Sequence, residues 1–118
     1  MIRPQLLAWQ WRDYAAKHRD RANLLLHIVV VPVFELGTLG IVAAVVARSG
    51  LMAVLGVVAV GLSLAVQGRG HRREVEAPTP FSGPADFVTR VLAEQWITFP
   101  RFVLSGGWAR ALGGAPHP

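Results

Sequence analysis

Three histidines and a nearby acid have the residue types and the spacing of a metal site. His18 and His27 lie at the start of a long apolar run, His71 follows a second such run, and Glu74 comes three residues later. Neutral imidazoles with a carboxylate suit iron(II) and similar divalent metals, and such ligands leave positions open for other molecules. An ionisable side chain inside an apolar segment is usually functional, which applies most strongly to His27.

The elements that position these residues are those of a membrane protein. The chain has 118 residues, of which 53% are apolar and 16% charged, whereas soluble domains contain about 45–50% and about 25%. Between residues 24 and 66 only His27, Glu35 and Arg48 are ionisable. There is no cysteine, so disulfides, iron–sulfur clusters and thiolate metal sites are excluded. This length and composition predict a single membrane-embedded domain over residues 1–118.

Two apolar segments predict a transmembrane hairpin. Residues 23–47 and 51–67 are each long enough to span a bilayer, with the polar turn "RSG" between them. Pro32 is expected to kink the first span. Small residues such as Gly56 in the second span allow the two backbones to approach closely.

Two amphipathic helices are predicted to flank the hairpin. In residues 5–21 the apolar stripe consists of Leu7, Trp11, Tyr14 and His18. In residues 85–99 it consists of Val88, Val91, Leu92, Gln95 and Phe99. Residues 113–118, which include His117, are expected to form a flexible tail. The predicted fold class is therefore all-α, an integral membrane helical bundle with a central transmembrane hairpin and two amphipathic flanking helices.

The hairpin is expected to gather the metal ligands at one end. His27 lies 22 residues before Ser49, at the centre of the turn, and His71 lies 22 residues after it. With equal rise along two antiparallel helices, the two imidazoles reach the same depth, although Pro32 and the glycines can shift such a match by a residue or two. His18 lies near the mouth of this hairpin, and Glu74 lies one helical turn beyond His71.

Each of these polar residues also has a structural interpretation. His18 is compatible with an interfacial residue that reaches for water, and His71 with a solvated residue of a basic loop. The same register count puts Glu35 level with Ser63, so the carboxyl group has a possible hydrogen-bond partner there or at a neighbouring carbonyl. Asn23 either caps the membrane helix or orients a metal ligand or a bound water.

The basic residues indicate membrane topology rather than a nucleic-acid surface. The net charge is +5, with five basic residues between Arg3 and Arg21 and three between Arg69 and Arg73. Only Arg48 lies at the opposite end of the hairpin. Because basic residues favour the cytoplasmic side, both termini are expected to be cytoplasmic, and no nucleic-acid partner is expected.

Two motifs resemble the signatures of a family of small membrane proteins. The segment "YAAKHRDRANLLLHIVVVP" carries Tyr14, His18, Asn23, His27 and Pro32. The segment "QGRGHRREVEAP" carries Gln67, Gly70, His71, Glu74 and Pro78. The characterised fungal member of that family is an iron(II)-dependent 2-hydroxy fatty acid dioxygenase of fatty acid α-oxidation. The resemblance covers about residues 11–104, and the connector "TPFSGPADF" departs from the family pattern.

The resemblance implies a metal centre and a reaction. It implies that His18, His27, His71 and, as a weaker ligand, Glu74 hold Fe(II) and carry catalysis, with Asn23 and Gln67 in support. A 2-hydroxy acid loses four electrons when it becomes carbon dioxide and an acid one carbon shorter, and one dioxygen accepts four electrons. No flavin or 2-oxoglutarate is then required, and the chain has no nucleotide-binding motif.

The implied partners are the lipid bilayer, a lipid-like hydroxy acid and dioxygen, in a bacterial inner membrane. Two alternatives stay open at this point. One is a non-enzymatic membrane accessory protein whose histidines are structural or bind metal without turnover. The other is the same metal site acting on another lipid-soluble substrate. A homo-oligomer is compatible with the sequence, which leaves the chain length and stereochemistry of the substrate open.

Overall fold

The computed structural model describes residues 2–114, and within that range every regular element is helical. In chain order the elements are α1 (Leu6–Tyr14), a 3₁₀ turn (Ala15–Lys17), α2 (Arg21–Ala47), α3 (Gly50–His71), α4 (Pro84–Ala93), a π-helical segment (Glu94–Thr98), α5 (Phe99–Leu104) and α6 (Gly107–Leu112). The all-α prediction is confirmed for these residues. Residues 115–118, with His117 and most of the predicted tail, lie outside the described range.

Local capping sets the ends of the two long helices. The Asp20 carboxylate accepts the backbone N–H of Asn23 at 3.0 Å, which satisfies a free donor in the first turn of α2. At the other end Arg48 adopts the left-handed conformation, with φ 54°, and stops the helix. Ser49 then caps α3 by accepting the N–H of Met52 at 3.2 Å. The reversal between α2 and α3 therefore needs only two residues.

Glycines bring α2 and α3 into close contact. A Cβ atom added to Gly56 would lie 2.8 Å from the carbonyl oxygen of Gly37. One added to Gly37 would lie 3.0 Å from the carbonyl oxygen of Gly56. The first distance is shorter than real Cβ contacts and the second is tighter than most of them, so the two backbones approach as closely as they do because these residues have no side chain.

We expect the substitution Gly56→Ala to lower the free energy of unfolding by about 1–3 kcal/mol, because the new methyl group must push the two backbones apart. Gly61→Ala is the matched control, since a Cβ atom at Gly61 meets nothing within 4 Å. The control should be neutral or slightly stabilising, because alanine favours helix over glycine by about 0.8–1.0 kcal/mol. Unfolding of both variants in mixed detergent measures the difference, and equal stability of the two would contradict the close-contact interpretation.

The register of the two long helices differs from the predicted one beside Glu35. The Ser63 hydroxyl donates to the carbonyl oxygen of Val30 at 2.6 Å, more than one helical turn away from Glu35. The count from Ser49 assumed straight helices of equal rise. Their actual alignment follows the glycine contacts and a helix with Pro32 in its interior.

Most apolar side chains of α2 and α3 point away from the protein. Both helices are long and apolar enough to cross a membrane, and only 22% and 17% of their most apolar stretches are buried. Leu36, Val46 and Leu51 are 69%, 82% and 71% exposed. A helix in the core of a soluble protein would be mostly buried, whereas this apolar surface is far larger than single exposed residues would give.

The remaining helices gather around the first turns of α2. The buried apolar cluster there consists of Tyr14, Leu24, Val31, Phe99, Phe102 and Ala111. The indole N–H of Trp108, on the unpredicted helix α6, donates to the carbonyl oxygen of Leu24 at 2.9 Å. α1 is shorter than the predicted helix over 5–21, because Asp20 caps a new helix after the 3₁₀ turn. Its buried face carries Gln10 and Tyr14, while Leu7 is exposed.

The second flanking helix presents a different face from the predicted one. Val88 and Leu92 are exposed, whereas Asp86 and Arg90 are buried as an ion pair at 3.2 Å. The π-helical segment has a wider turn than an α-helix, so the residues after it lie on a rotated face. Gln95, within this segment, and Phe99, directly after it, are buried as predicted, although the residues before them do not follow the predicted stripe.

Candidate metal centre

His18 lies directly after the 3₁₀ turn, with its ring fixed on both sides. The imidazole stacks on the Tyr14 ring, with centroids 3.7 Å apart and planes inclined by 11°. Its Nδ1–H group donates to the Tyr14 carbonyl oxygen at 2.8 Å. The other ring nitrogen, Nε2, is buried and has no hydrogen-bond partner. The lone pair of Nε2 is therefore free to bind a ligand.

His27 and His71 come from the two long helices and face His18. The Nδ1–H group of His27 donates to the carbonyl oxygen of Asn23 at 3.0 Å, which leaves a buried Nε2 without a partner. His71 ends α3, and its buried Nδ1 also has no partner. The three ring centroids are 4.7 to 5.1 Å apart, with the planes close to perpendicular. The structure thus brings together all three predicted histidines.

The fourth member of the cluster is Glu94, which the sequence analysis did not single out. Its Oε2 atom lies 3.8 Å from Nε2 of His18 and accepts the Tyr14 hydroxyl at 3.2 Å. The donor atoms of His18, His27, His71 and Glu94 all lie within 4.8 Å of one another. Metal–nitrogen and metal–oxygen bonds of about 2.0–2.2 Å require only a small inward movement of these side chains.

The ionisation states at the edge of the cluster favour a bound cation. Burial lowers the pKa of His18 well below its usual range, and the neighbouring His27 and His71 lower it further. The ring is therefore neutral at pH 7, the form that binds metals. Burial raises the pKa of Glu94 to about 7, although the Tyr14 hydroxyl and the charge of Arg90 act in the opposite direction. A cation at the centre would favour the ionised carboxylate.

The unpartnered nitrogens fit a metal ion better than they fit an empty polar core. Buried polar atoms without a partner are rare in native proteins, and each costs about 1–3 kcal/mol. Here His18 Nε2, His27 Nε2 and His71 Nδ1 share this condition at one point. Three imidazoles and one carboxylate form a donor set that suits first-row divalent metals and leaves coordination positions open. The cluster could therefore hold a metal ion.

Glu74 lies outside this cluster, although the sequence predicted it as a weaker ligand. Its carboxylate accepts the backbone N–H groups of Arg19 and Asp20 at 2.9 and 3.0 Å and the side-chain amide of Asn23 at 2.6 Å. These three donors, two just before α2 and one in its first turn, therefore occupy both carboxylate oxygens of Glu74. Since these donors adjoin His18 and precede His27 by one turn, Glu74 ties the end of α3 to the segment that carries the other two histidines.

We expect Glu74→Gln to weaken metal binding by about 10–100-fold without abolishing it, as is usual when a partner of the ligands is lost. An amide oxygen accepts fewer and weaker hydrogen bonds than a carboxylate, so the two backbone segments would be held less firmly. Glu76→Gln is the matched control, because Glu76 is exposed and makes no side-chain hydrogen bond to the described residues. Titration of the metal-free variants with iron(II) measures both affinities. An unchanged affinity in Glu74→Gln would contradict the positioning role.

Asn23 and Gln67, the other two residues predicted to support the ligands, act in different ways. Asn23 orients His27 with its main-chain carbonyl, and its Oδ1 atom lies against Gly70, where any side chain would collide with it. Within the described residues, the side chain of Gln67 makes no hydrogen bond to the histidines. It exchanges two 2.8 Å hydrogen bonds with Gln95 and donates to Ser63 at 3.0 Å. Gln67 therefore holds the residue next to Glu94 against α3.

A cavity of about 370 Å³ adjoins the cluster. His18, His71 and Glu94 form part of its wall, so three of the four donor side chains are reached from it. Its apolar wall consists of Trp9, Leu64, Ala77, Pro78, Phe81, Phe87 and Val91. Lys17 also lines it and donates to the Asp13 carboxylate at 2.9 Å and to the Thr79 hydroxyl at 3.3 Å. This size is within the range of small-molecule sites.

The sequence contains one signal that bears on Glu94. Pro100 has no backbone N–H and so cannot make the usual helical hydrogen bond to the residue four positions earlier. A helix that continues through proline often contains a wider turn, and such turns frequently lie at functional sites. Glu94 opens the wider turn in this protein.

Comparison of the chain with models of protein families, with curated proteins and with solved structures found no match.

Proposed function

We propose that the protein is a membrane-embedded, iron(II)-dependent dioxygenase that cleaves a 2-hydroxy fatty acid, or a similar lipid-like hydroxy acid, to carbon dioxide and an acid one carbon shorter. The observation that carries this proposal is the convergence of three unpartnered imidazole nitrogens and the Glu94 carboxylate at the wall of a largely apolar cavity. The resemblance of the two histidine motifs to a dioxygenase family supports the choice of iron and of the reaction.

The outward-facing apolar surface of α2 and α3 supports a location in the lipid bilayer. We place both termini on the cytoplasmic side of a bacterial inner membrane, because the basic residues flank the helix pair at the end opposite Arg48. Reporter fusions at the C-terminus test this orientation, and a reporter active only outside the cytoplasm would refute it. The metal centre would then lie at the membrane boundary, where a polar head and an apolar tail separate.

The side chains of the cluster suit an anionic ligand. Three neutral imidazoles and one carboxylate leave a divalent ion with a net charge of about +1, which one substrate carboxylate would balance. Bound iron(II) would supply the site at which dioxygen reacts and the α-hydroxyl and carboxylate oxygens are held. The Tyr14 hydroxyl fixes Oε2 of Glu94, and the stacked Tyr14 ring keeps His18 in place. Lys17 lines the cavity as one half of an ion pair with Asp13, so it offers an N–H donor rather than a net positive charge.

The reaction balances with dioxygen as the single oxidant. The bond between the carboxyl carbon and the hydroxylated carbon breaks, the carboxyl carbon leaves as carbon dioxide, and the hydroxylated carbon becomes the new carboxyl group. The remaining oxygen atom and two hydrogen atoms form water. The apolar part of the cavity wall would hold the acyl chain while the head group stays beside the histidines and Glu94.

The test is anaerobic loading of the purified protein with iron(II), followed by 2-hydroxypalmitate and oxygen. We expect pentadecanoate and carbon dioxide in equal amounts, with one dioxygen consumed for each. Palmitate, which lacks the hydroxyl group, is the matched substrate control and should not react. Stoichiometric iron without turnover of 2-hydroxypalmitate or shorter 2-hydroxy acids would refute this reaction. A chain that binds no metal would favour the non-enzymatic accessory protein.

A further inference from the structure

The glycines of α3 fall into two groups that differ in what surrounds them. A side chain at Gly56 would collide with Gly37, and one at Gly70 would collide with Asn23. At Gly68, in contrast, an added Cβ atom meets nothing within 4 Å, and the backbone does not have a positive φ there. Neither helix contact nor backbone conformation therefore requires glycine at position 68. Yet glycine costs a helix about 0.8–1.0 kcal/mol relative to alanine.

Gly68 lies in the cavity wall between the metal centre and the apolar part of α3. It precedes His71 by three residues and follows Leu64 by four, so the three lie along one face of the helix, and all line the cavity. Beyond Leu64 the helix continues into its exposed apolar surface. Lys17 lines the cavity on the side of α1, next in the chain to His18. Along α3 the cavity wall therefore changes from polar side chains near the metal centre, Gln67, His71 and Arg72, to the apolar Leu64 one turn before Gly68.

We propose that Gly68 determines which acyl tails the cavity accepts, because its missing side chain leaves the passage for the first methylene groups of the tail. The tail runs from the cluster past Gly68 to Leu64, while the carboxylate end stays beside Lys17 and the histidines. The identity of the ligand as a hydroxy acid rests on the proposed function. The passage itself rests on the open space at Gly68 and on its place in the cavity wall.

The experiment measures equilibrium binding rather than turnover. Full-length protein in detergent is loaded with iron(II) and kept free of oxygen, and binding of 2-hydroxypalmitate is measured by calorimetry, together with iron per chain. The variants are Gly68→Leu, Gly68→Ala and the control Gly50→Leu. Gly50 also has open space around it and lies at the far end of α3, outside the cavity. The short acid 2-hydroxybutyrate serves as a ligand with almost no tail.

We expect Gly68→Leu to weaken binding of 2-hydroxypalmitate by about 10–100-fold, the range in which apolar pockets discriminate small changes of shape. Binding of 2-hydroxybutyrate should change much less, iron content should stay at the wild-type level, and Gly50→Leu should bind both acids normally. Gly68→Ala should show the same preference for the short acid in weaker form. If Gly68→Leu loses iron or fails to fold, the binding measured with Gly68→Ala decides whether the proposal stands.

Two results would overturn the proposal. One is wild-type affinity for 2-hydroxypalmitate in an iron-replete Gly68→Leu or, where that variant does not fold, in Gly68→Ala. The other is an equal loss of affinity for both acids, which would place Gly68 beside the head group instead of the tail. Tail-dependent binding without turnover would support the passage and refute the proposed reaction. Turnover that is insensitive to Gly68→Leu would support the proposed reaction and refute the passage. The failure of the passage and the failure of the reaction are therefore distinguishable.

Discussion

Replacing His27 by alanine should remove iron from the purified protein and abolish turnover while the helices stay folded. The side chain is completely buried, and its Nε2 atom has no partner within the described residues, so this nitrogen is available to an ion. α2 itself is set by its caps and by its apolar residues, which the substitution leaves in place. Iron per chain and the helical circular dichroism of the same sample measure the two effects separately.

His71→Ala should behave in the same way, and the double variant should be no worse than either single one. Ligands of one centre act as a unit, so losing the first already removes the function that the second supports. His117→Ala is the matched histidine control and should keep full iron and activity. His27→Gln, which fills more of the same space, shows whether any loss of iron reflects the empty volume left by alanine. Full iron and full turnover in His71→Ala would contradict the shared centre.

The long helices were predictable because they depend on composition along the chain. An uninterrupted apolar run with few ionisable residues has few alternatives to a helix in lipid, and a polar turn marks the reversal. The same features predicted that His27 and His71 approach each other, since a two-residue turn makes the helices antiparallel. Imidazoles also tolerate a small error of register, whereas the shorter Ser63 side chain does not, and its predicted proximity to Glu35 differs from the structure.

Glu94 was not predictable in this way because the helix that carries it buries a different face from the predicted one. The predicted stripe over residues 85–99 places Val88 and Leu92 inward and Glu94 away from the buried face. In the structure Asp86 and Arg90 are buried instead, and Glu94, four residues after Arg90, continues that face and reaches Tyr14 and His18. The reciprocal amide pair of Gln67 and Gln95 stabilises this arrangement, and it joins residues 28 positions apart. Such long-range pairs are not encoded in local periodicity.

For Glu74 the sequence pointed to a functional acid beside the histidines but predicted the wrong role for it, that of a metal ligand. A carboxylate three residues after His71 has the right chemistry for a ligand. The backbone N–H groups of Arg19 and Asp20 compete for it, because these two residues precede α2 and have no helical carbonyl to bind. The structure gives Glu74 to those donors and Glu94 to the cluster. The acid in the cluster is therefore Glu94, while Glu74 holds the backbone beside two of the histidines.

We expect Glu94→Gln to lower the affinity for iron(II) by more than the roughly 10–100-fold expected of Glu74→Gln. A glutamine of the same size keeps the hydrogen bond from Tyr14 but removes the negative charge that partly neutralises the ion. An amide oxygen is also a weaker metal ligand than a carboxylate oxygen. Iron titrations of the two variants, carried out side by side, measure the order of the effects.

Tyr14→Phe is the control for Glu94, since it removes the hydroxyl group that contacts the carboxylate while it keeps a ring to stack on His18. It should cost less affinity than Glu94→Gln, because the carboxylate stays available to the ion. If the Glu94→Gln variant kept wild-type affinity and the Glu74→Gln variant lost iron altogether, Glu74 would be the acidic ligand. In that case the hydrogen bonds of Glu74 to the start of α2 would have to open when metal binds, and Glu94 would be a residue of the cavity wall only.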